Sequence, residues 1–152
     1  MIPAAGLGLP PSGHSPLESA DDHVPLPVPT RQRRTGLVLS GVAVLFLTVD
    51  AVMKLLRVPA AVEGTVALGY PEHVIVPLGV LQVVCLALYL HPRTAVLGAL
   101  LWAGYLGGAV ATHVRVGNPL FSHVLFPIYV AALLWLGLWL RDRRLREVLP
   151  LS

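Results

Sequence analysis

Residues 74–113 read "VIVPLGVLQVVCLALYLHPRTAVLGALLWAGYLGGAVATH", two long apolar runs joined by the polar turn "HPR" at 91–93. Each run has about 17 to 20 residues, enough to cross a hydrocarbon core of about 30 Å at 1.5 Å per helical residue. Backbone groups in lipid must find hydrogen-bond partners within their own segment. Both runs are therefore predicted to be transmembrane helices, and the short turn makes them antiparallel neighbours.

The composition extends this prediction to most of the chain. Hydrophobic residues make up 55% of the 152 residues and charged residues 12%, against about 25% charged in soluble domains. The mean hydropathy is +0.74. Four apolar spans are predicted, at about 35–56, 74–90, 94–113 and 120–140. We expect an all-α membrane protein, with a four-helix transmembrane bundle over residues 35–150.

The N-terminal region, residues 1–34, differs from the rest. Seven of its first 29 residues are proline, a density that prevents helix propagation, and Gly, Ser and a short acidic run are mixed in. We expect a disordered cytoplasmic tail. The string "PLPVP" leaves open a role as a polyproline ligand for a partner domain.

The basic residues predict the orientation in the membrane. Four spans place both termini and the "HPR" turn on one side, which collects Arg31, Arg33, Arg34, Arg93, Arg141, Arg143, Arg144 and Arg146. The other side holds Lys54, Arg57 and Arg115. By the positive-inside rule, both termini are cytoplasmic. Basic residues confined to the flanks of spans also argue against nucleic-acid binding, despite a pI near 9.5.

Several polar residues lie where membrane insertion is costly, about 2.5–3.5 kcal/mol for a charge at a helix centre. Topology directs most of them to the extracytoplasmic end of the bundle, and Gln82 lies near the middle of the second span. The candidate ligand-binding residues are Asp50, Lys54, Gln82, His113, Arg115 and His123. Asp50 is expected to pair with Lys54, four residues away on the same helix face, or with Arg115.

Two interpretations of these residues stay open. Histidine exchanges protons near neutral pH, and amide, arginine and histidine donors suit a quinone or another carbonyl-bearing headgroup. Alternatively, the residues are ordinary interfacial groups that reach water at the helix ends. No metal site is expected, because the sequence has no HxxxH or CxxC motif and no His–carboxylate pair at helical spacing.

Small residues recur every four positions along the third span, at Ala99, Ala103, Gly107 and Ala111. Small residues let a second helix approach closely within lipid. Packing inside the bundle is the first interpretation of this stripe. The alternative is a surface for a homodimer or for a membrane redox partner.

Longer strings resemble the DoxX-like family of small bacterial membrane proteins. They are "LYLHPRTAVLGA" at 88–99, "GYLGGAVATHVRVG" at 104–117 and "LRDRRLR" at 140–146, with "VDAVMKLLRVP" and "LGYPEHV" in the first half. The resemblance covers about residues 35–150. It implies a four-helix protein of the bacterial cytoplasmic membrane.

The resemblance implies little about chemistry, but the wider family takes its name from subunits of a quinone-reducing thiosulfate oxidoreductase, and some relatives are linked to membrane redox complexes. The resemblance assigns no specific activity, and a quinone-linked redox subunit or accessory, with quinone as the cofactor, is the most specific functional expectation. The alternatives are a small-solute binding or transport module and a structural membrane subunit without catalysis. Gln82 stands where the family pattern suggests a glutamate, and an amide cannot take over a proton-carrying role of that carboxylate.

Overall fold

Four long helices and two short ones make up the computed structural model, which describes residues 29–148. The long helices are α1 (Thr30–Leu55), α3 (Ile75–Leu90), α4 (Ala95–Arg115) and α5 (Phe126–Arg141). A single 3-10 turn, Glu72–Val74, precedes α3, and a π-helical turn, Leu120–Val124, precedes α5. The short helices are α2 (Pro59–Ala67) and α6 (Arg143–Val148). No strand occurs among these residues.

The four predicted spans are confirmed. Helices long and apolar enough to cross a membrane cover Thr30–Leu55, Glu72–Leu90, Ala95–Arg115 and Leu120–Arg141. The first begins earlier than predicted, so residues 30–34 are helical and do not belong to the tail. The remainder of the predicted tail, residues 1–28, lies outside the described residues. Pro127 falls in the first turn of α5, where a helix tolerates the missing N–H.

The long helices form a closed ring in which α1 contacts α3 and α5, and α4 also contacts α3 and α5. We call the end with the start of α1, the 91–94 turn and the end of α5 the proximal end. The opposite end, with α2 and the turn at 116–119, is the distal end. Both ends of the described chain therefore lie at the proximal end of the bundle.

Helices α1 and α5 approach most closely near the proximal end. A Cβ added to Gly137 would lie 2.4 Å from Ser40 Oγ, and one added to Gly36 would lie 2.8 Å from the Gly137 carbonyl oxygen. Ser40 Oγ is 2.9 Å from the hydroxyl of Tyr89, which donates to the Leu134 carbonyl at 2.8 Å. Since that phenol proton goes to Leu134, Ser40 is the donor to Tyr89. These bonds tie α1, α3 and α5 together.

Large side chains fill the proximal half of the bundle. Tyr89, Trp102 and Leu134 are each 0% exposed, and Cys85 and Leu138 are 1% exposed. The outward faces of the same helices are apolar and exposed, for example at Val38, Leu45 and Leu100. An apolar outer surface of this extent fits contact with lipid chains.

The small-residue stripe of α4 does not form one surface. Ala99 is fully buried in the bundle, Ala103 is partly buried, and Gly107 and Ala111 are exposed. The reason is geometric, because each four-residue step rotates by about 40° around a helix with 3.6 residues per turn. Only the proximal end of the stripe packs inside the bundle.

Candidate functional site

The distal half of the bundle contains a cavity of about 730 Å³ that is partly open to the surroundings. Its walls come from all four long helices, and residues 60–70, in and after α2, also line it. The apolar lining includes Phe46, Leu47, Leu106, Phe126 and Val130. The polar lining consists of Asp50, Lys54, Thr65, Tyr70, Gln82, Tyr105, Thr112, His113, Asn118 and His123.

Asp50 is the centre of the inner polar group of this cavity. It lies five residues before the end of α1, about 7–8 Å along the helix axis. Its Oδ2 accepts hydrogen bonds from Lys54 Nζ and from Gln82 Nε2, the latter at 2.5 Å. The Lys54 side chain is 14% exposed and that of Asp50 is 34% exposed. The predicted pairing of Asp50 with Lys54 is thus present, and it is joined by an amide from α3.

Gln82 connects α3 to this pair. The residue is 1% exposed, and its Nε2 donates to Asp50, as expected for an amide inside the bundle. Its Oε1 is buried and has no hydrogen-bond partner among the described residues. Buried acceptors normally have a donor, so Gln82 Oε1 is an exception among the buried polar atoms.

A second polar group lines the distal part of the cavity. His113 Nδ1 is 2.8 Å from Asn118 Nδ2, and the His113 and His123 rings meet edge to face with centroids 5.7 Å apart. Because the Asn118 amide nitrogen can only donate, His113 Nδ1 is the acceptor and its proton resides on Nε2. The turn at 116–119 therefore brings together the two histidines that flank it in the sequence.

Arg115 does not lie where the sequence analysis considered it, beside Asp50 in a ligand site. It does not pair with Asp50 and does not line the cavity. Its Nη2 donates to the Leu68 carbonyl at 2.6 Å, and its guanidinium packs against Gly69, whose φ is +83°. Leu68 follows the last residue of α2, so the arginine caps a helix C-terminus, where a cation is favoured. Arg115 thus positions α2.

Helix α2 covers the cavity between two backbone bends. Arg57 before it and Gly69 after it both have positive φ. Tyr70 then reaches α4, where its hydroxyl lies 2.9 Å from Thr112 Oγ1, which itself donates to the Gly108 carbonyl. Tyr70 is therefore the donor to Thr112. The link between the first two spans is thus a short helix fastened over the site.

Tyr70, Tyr105 and Thr112 are lining residues that sequence reasoning missed. Tyr105, on α4, lines the cavity. The sequence does indicate that Tyr105, Gly108 and Thr112 share a helix face, because they recur at three- and four-residue spacing. The facing residues lie on distant segments, so that spacing alone does not indicate a cavity.

Three glycines line the cavity, and their missing side chains leave space. A Cβ added to Gly64, Gly104 or Gly108 would meet nothing within 4 Å. The result is an apolar cavity with a few convergent polar groups, the usual character of a small-molecule site. No group of three or more His, Cys, Asp or Glu residues suited to a metal ion occurs within residues 29–148.

The fold and the cavity define a multi-pass helical membrane protein with a partly open pocket between its helices. The DoxX-like family profile matches residues 38–137, which covers most of the chain and all four long helices at least in part. The chain therefore belongs to the DoxX-like family. No curated protein and no solved structure shows significant similarity to it.

Proposed function

We propose that the distal cavity binds a quinone, and that the protein is a quinone-linked subunit or accessory of a membrane redox system. The observation that carries the proposal is the cavity itself. Its volume of about 730 Å³ lies within the range of about 300–1,000 Å³ typical of small-molecule sites. Apolar walls suit a ring and its hydrocarbon tail, and the polar groups at two depths suit ring oxygens.

Specific donors are available for those oxygens. Lys54 retains two N–H groups after its bond to Asp50, and the Tyr105 hydroxyl forms no hydrogen bond within residues 29–148. His113 carries its proton on Nε2. Histidine exchanges protons near neutral pH, which suits the protonation changes that accompany quinone chemistry.

Transport of a small solute is the rival function, and the packing of the proximal half favours binding instead. Below Gln82 the bundle interior is occupied by Cys85, Tyr89 and Trp102, each no more than 1% exposed. A path through the membrane would require these side chains to move. A structural membrane subunit without catalysis is the other alternative. Its support is the exposed part of the small-residue stripe of α4, Gly107 and Ala111.

We further propose the bacterial cytoplasmic membrane as the location, with both termini in the cytoplasm. The support is the distribution of Lys and Arg, eight of which lie at the proximal end or beyond it and three at the distal end. The cavity then opens in the extracytoplasmic half of the membrane.

The test is quinone retained by the purified protein, measured by solvent extraction and chromatography. Asp50→Asn and His113→Ala are expected to lower the retained quinone at least about tenfold, since each removes a polar contact from the cavity. Thr48→Ala and Val114→Ala are the matched controls, because both residues are exposed neighbours outside the cavity lining. Equal retention in all four folded variants would exclude this site.

A further inference from the structure

The cavity extends from the centre of the bundle into the gap between α1 and α5. Leu47 lies on the buried face of α1 and is 2% exposed. Phe46 and Met53 lie about 100–120° around the helix from Leu47, yet both line the cavity. On the neighbouring helix, Phe126 lines it as well. We call Phe46, Met53 and Phe126 the lateral seam.

The lateral seam also meets the outer, lipid-facing surface. Phe46 is 44% exposed and Phe126 is 42% exposed, although both line the cavity. Val49 and Phe121 are exposed apolar neighbours of these two residues in the sequence, and they lie outside the cavity lining. The seam is therefore bordered by apolar surface of the kind that contacts lipid chains.

Two phenyl rings close the lateral seam. The backbones of α1 and α5 touch at Gly36 and Gly137, near the proximal end. At the level of the cavity the contact is made by the rings of Phe46 and Phe126, edge to face with centroids 5.2 Å apart. Within residues 29–148, no hydrogen bond or ion pair joins residues 46–55 to the π-helical turn or to α5. The two rings can therefore separate without loss of a polar contact.

The distal end of the cavity is closed in a different way. Helix α2 covers it, held by the bond from Arg115 to the Leu68 carbonyl and by the bond between Tyr70 and Thr112. Moving α2 aside would break these polar contacts. Because the lateral seam has none, passage between the cavity and the lipid requires the smaller rearrangement.

We infer that the lateral seam is the portal through which the cavity takes up its ligand from the bilayer, and that the ligand's hydrocarbon tail lies between Phe46 and Phe126. The inference rests on the proposed function, because it states where the tail of a bound quinone lies. Asp50 is one helical turn from Phe46, about 6 Å along the axis of α1. A headgroup beside Asp50 and Lys54 thus leaves its tail in apolar surroundings, away from water.

The experiment locates the tail in the wild-type full chain in lipid nanodiscs. The probe is decylubiquinone with a photoreactive diazirine in the middle of its tail, and mass spectrometry identifies the labelled residues. Labelling that excess decylubiquinone suppresses is expected within residues 42–49 and 121–130. Val80 and Val84, on the outer face of α3, are the internal control, since a probe dissolved in lipid should label them with or without excess decylubiquinone.

A variant measures the contact with the tail. Phe46→Ala should weaken decylubiquinone binding about three- to tenfold, because it removes apolar surface that the tail covers. Binding of the same headgroup without a tail should change by less than about twofold. Phe121→Ala is the matched control, because this aromatic side chain is 76% exposed and does not line the cavity, so neither affinity should change. Comparing variants with one ligand at a time cancels the partition of that ligand into lipid.

The outcomes separate this inference from the proposal beneath it. Suppressible labelling confined to α2 or α3 overturns the portal and leaves quinone binding intact. Labelling of the seam that persists in excess decylubiquinone shows that the tail of a bound quinone does not lie there. An effect of Phe46→Ala on both ligands alike, or on neither, also contradicts the inference. If no residue shows suppressible labelling and titration detects no binding, both the inference and the proposed function fail.

Discussion

Asp50 carries a negative charge inside an apolar bundle, and two side chains compensate for it. Lys54 supplies the opposite charge from the next turn of α1, and Gln82 adds a hydrogen bond from α3. Removing Asp50 alone leaves both Lys54 and Gln82 without their shared partner. The group is therefore a source of stability as well as a part of the cavity wall.

The first prediction concerns this ion pair. Asp50→Asn is expected to lower the free energy of unfolding by about 1–3 kcal/mol, because Lys54 loses its counter-charge where it is largely buried. The double variant Asp50→Asn with Lys54→Met should recover at least half of the loss. Unfolding by SDS titration in mixed micelles measures both.

The Arg57–Glu72 ion pair is the matched control. Its side chains are 53% and 56% exposed, so Glu72→Gln should change stability by no more than about 1 kcal/mol. If Glu72→Gln lowered the free energy of unfolding as much as Asp50→Asn does, burial of the Asp50–Lys54 pair would make no contribution to stability.

At the scale of elements, the long helices were predictable and the cover over the cavity was not. An apolar run of sufficient length must form a helix in lipid, so the spans at 74–90 and 120–140 needed no knowledge of their neighbours. The role of α2 depends on contacts with α4, made by Arg115 and Tyr70 across more than forty residues of chain. Such contacts depend on how each helix is rotated in the bundle, which the spacing of one segment does not determine.

The second prediction concerns the attachment of α2. Arg115→Ala removes the bond to Leu68, so amide hydrogen exchange in residues 58–70 is expected to become at least about tenfold faster while α4 stays protected. Tyr70→Phe should have a smaller effect in the same direction. Arg93→Ala, at an exposed position in the proximal turn, is the control and should leave this segment unchanged.

On the scale of the whole molecule, the interior of the four-helix ring is filled by side chains in the proximal half and contains the cavity in the distal half. The proximal interior holds the bulky Tyr89 and Trp102, whereas the distal interior is lined in part by Gly104 and Gly108. The sequence predicted that polar residues gather at the distal end, because four spans leave only two ends for their loops. It did not predict a cavity there, since empty space depends on the combined volume of facing side chains.

The third prediction concerns orientation. In a Cys85→Ala background, Gly117→Cys should react with a membrane-impermeant maleimide added to intact cells. Arg93→Cys should react only after permeabilisation, because the proximal end with most of the arginines is expected to be cytoplasmic. Labelling in the reverse pattern would contradict this orientation, and the bundle would then stand the other way in the membrane.

The central claim is that the distal cavity is a ligand site, and two adjacent glycines of α4 allow its most direct test. Gly108 lines the cavity and Gly107 does not, and at both positions an added Cβ meets nothing within 4 Å. The measurement is the affinity of the nanodisc-embedded protein for decylubiquinol by fluorescence or calorimetric titration. Gly108→Leu, which places a side chain in the cavity, is predicted to weaken binding at least about tenfold, with Gly107→Leu unchanged. Equal affinities of the two folded variants would contradict the claim that this cavity holds the ligand.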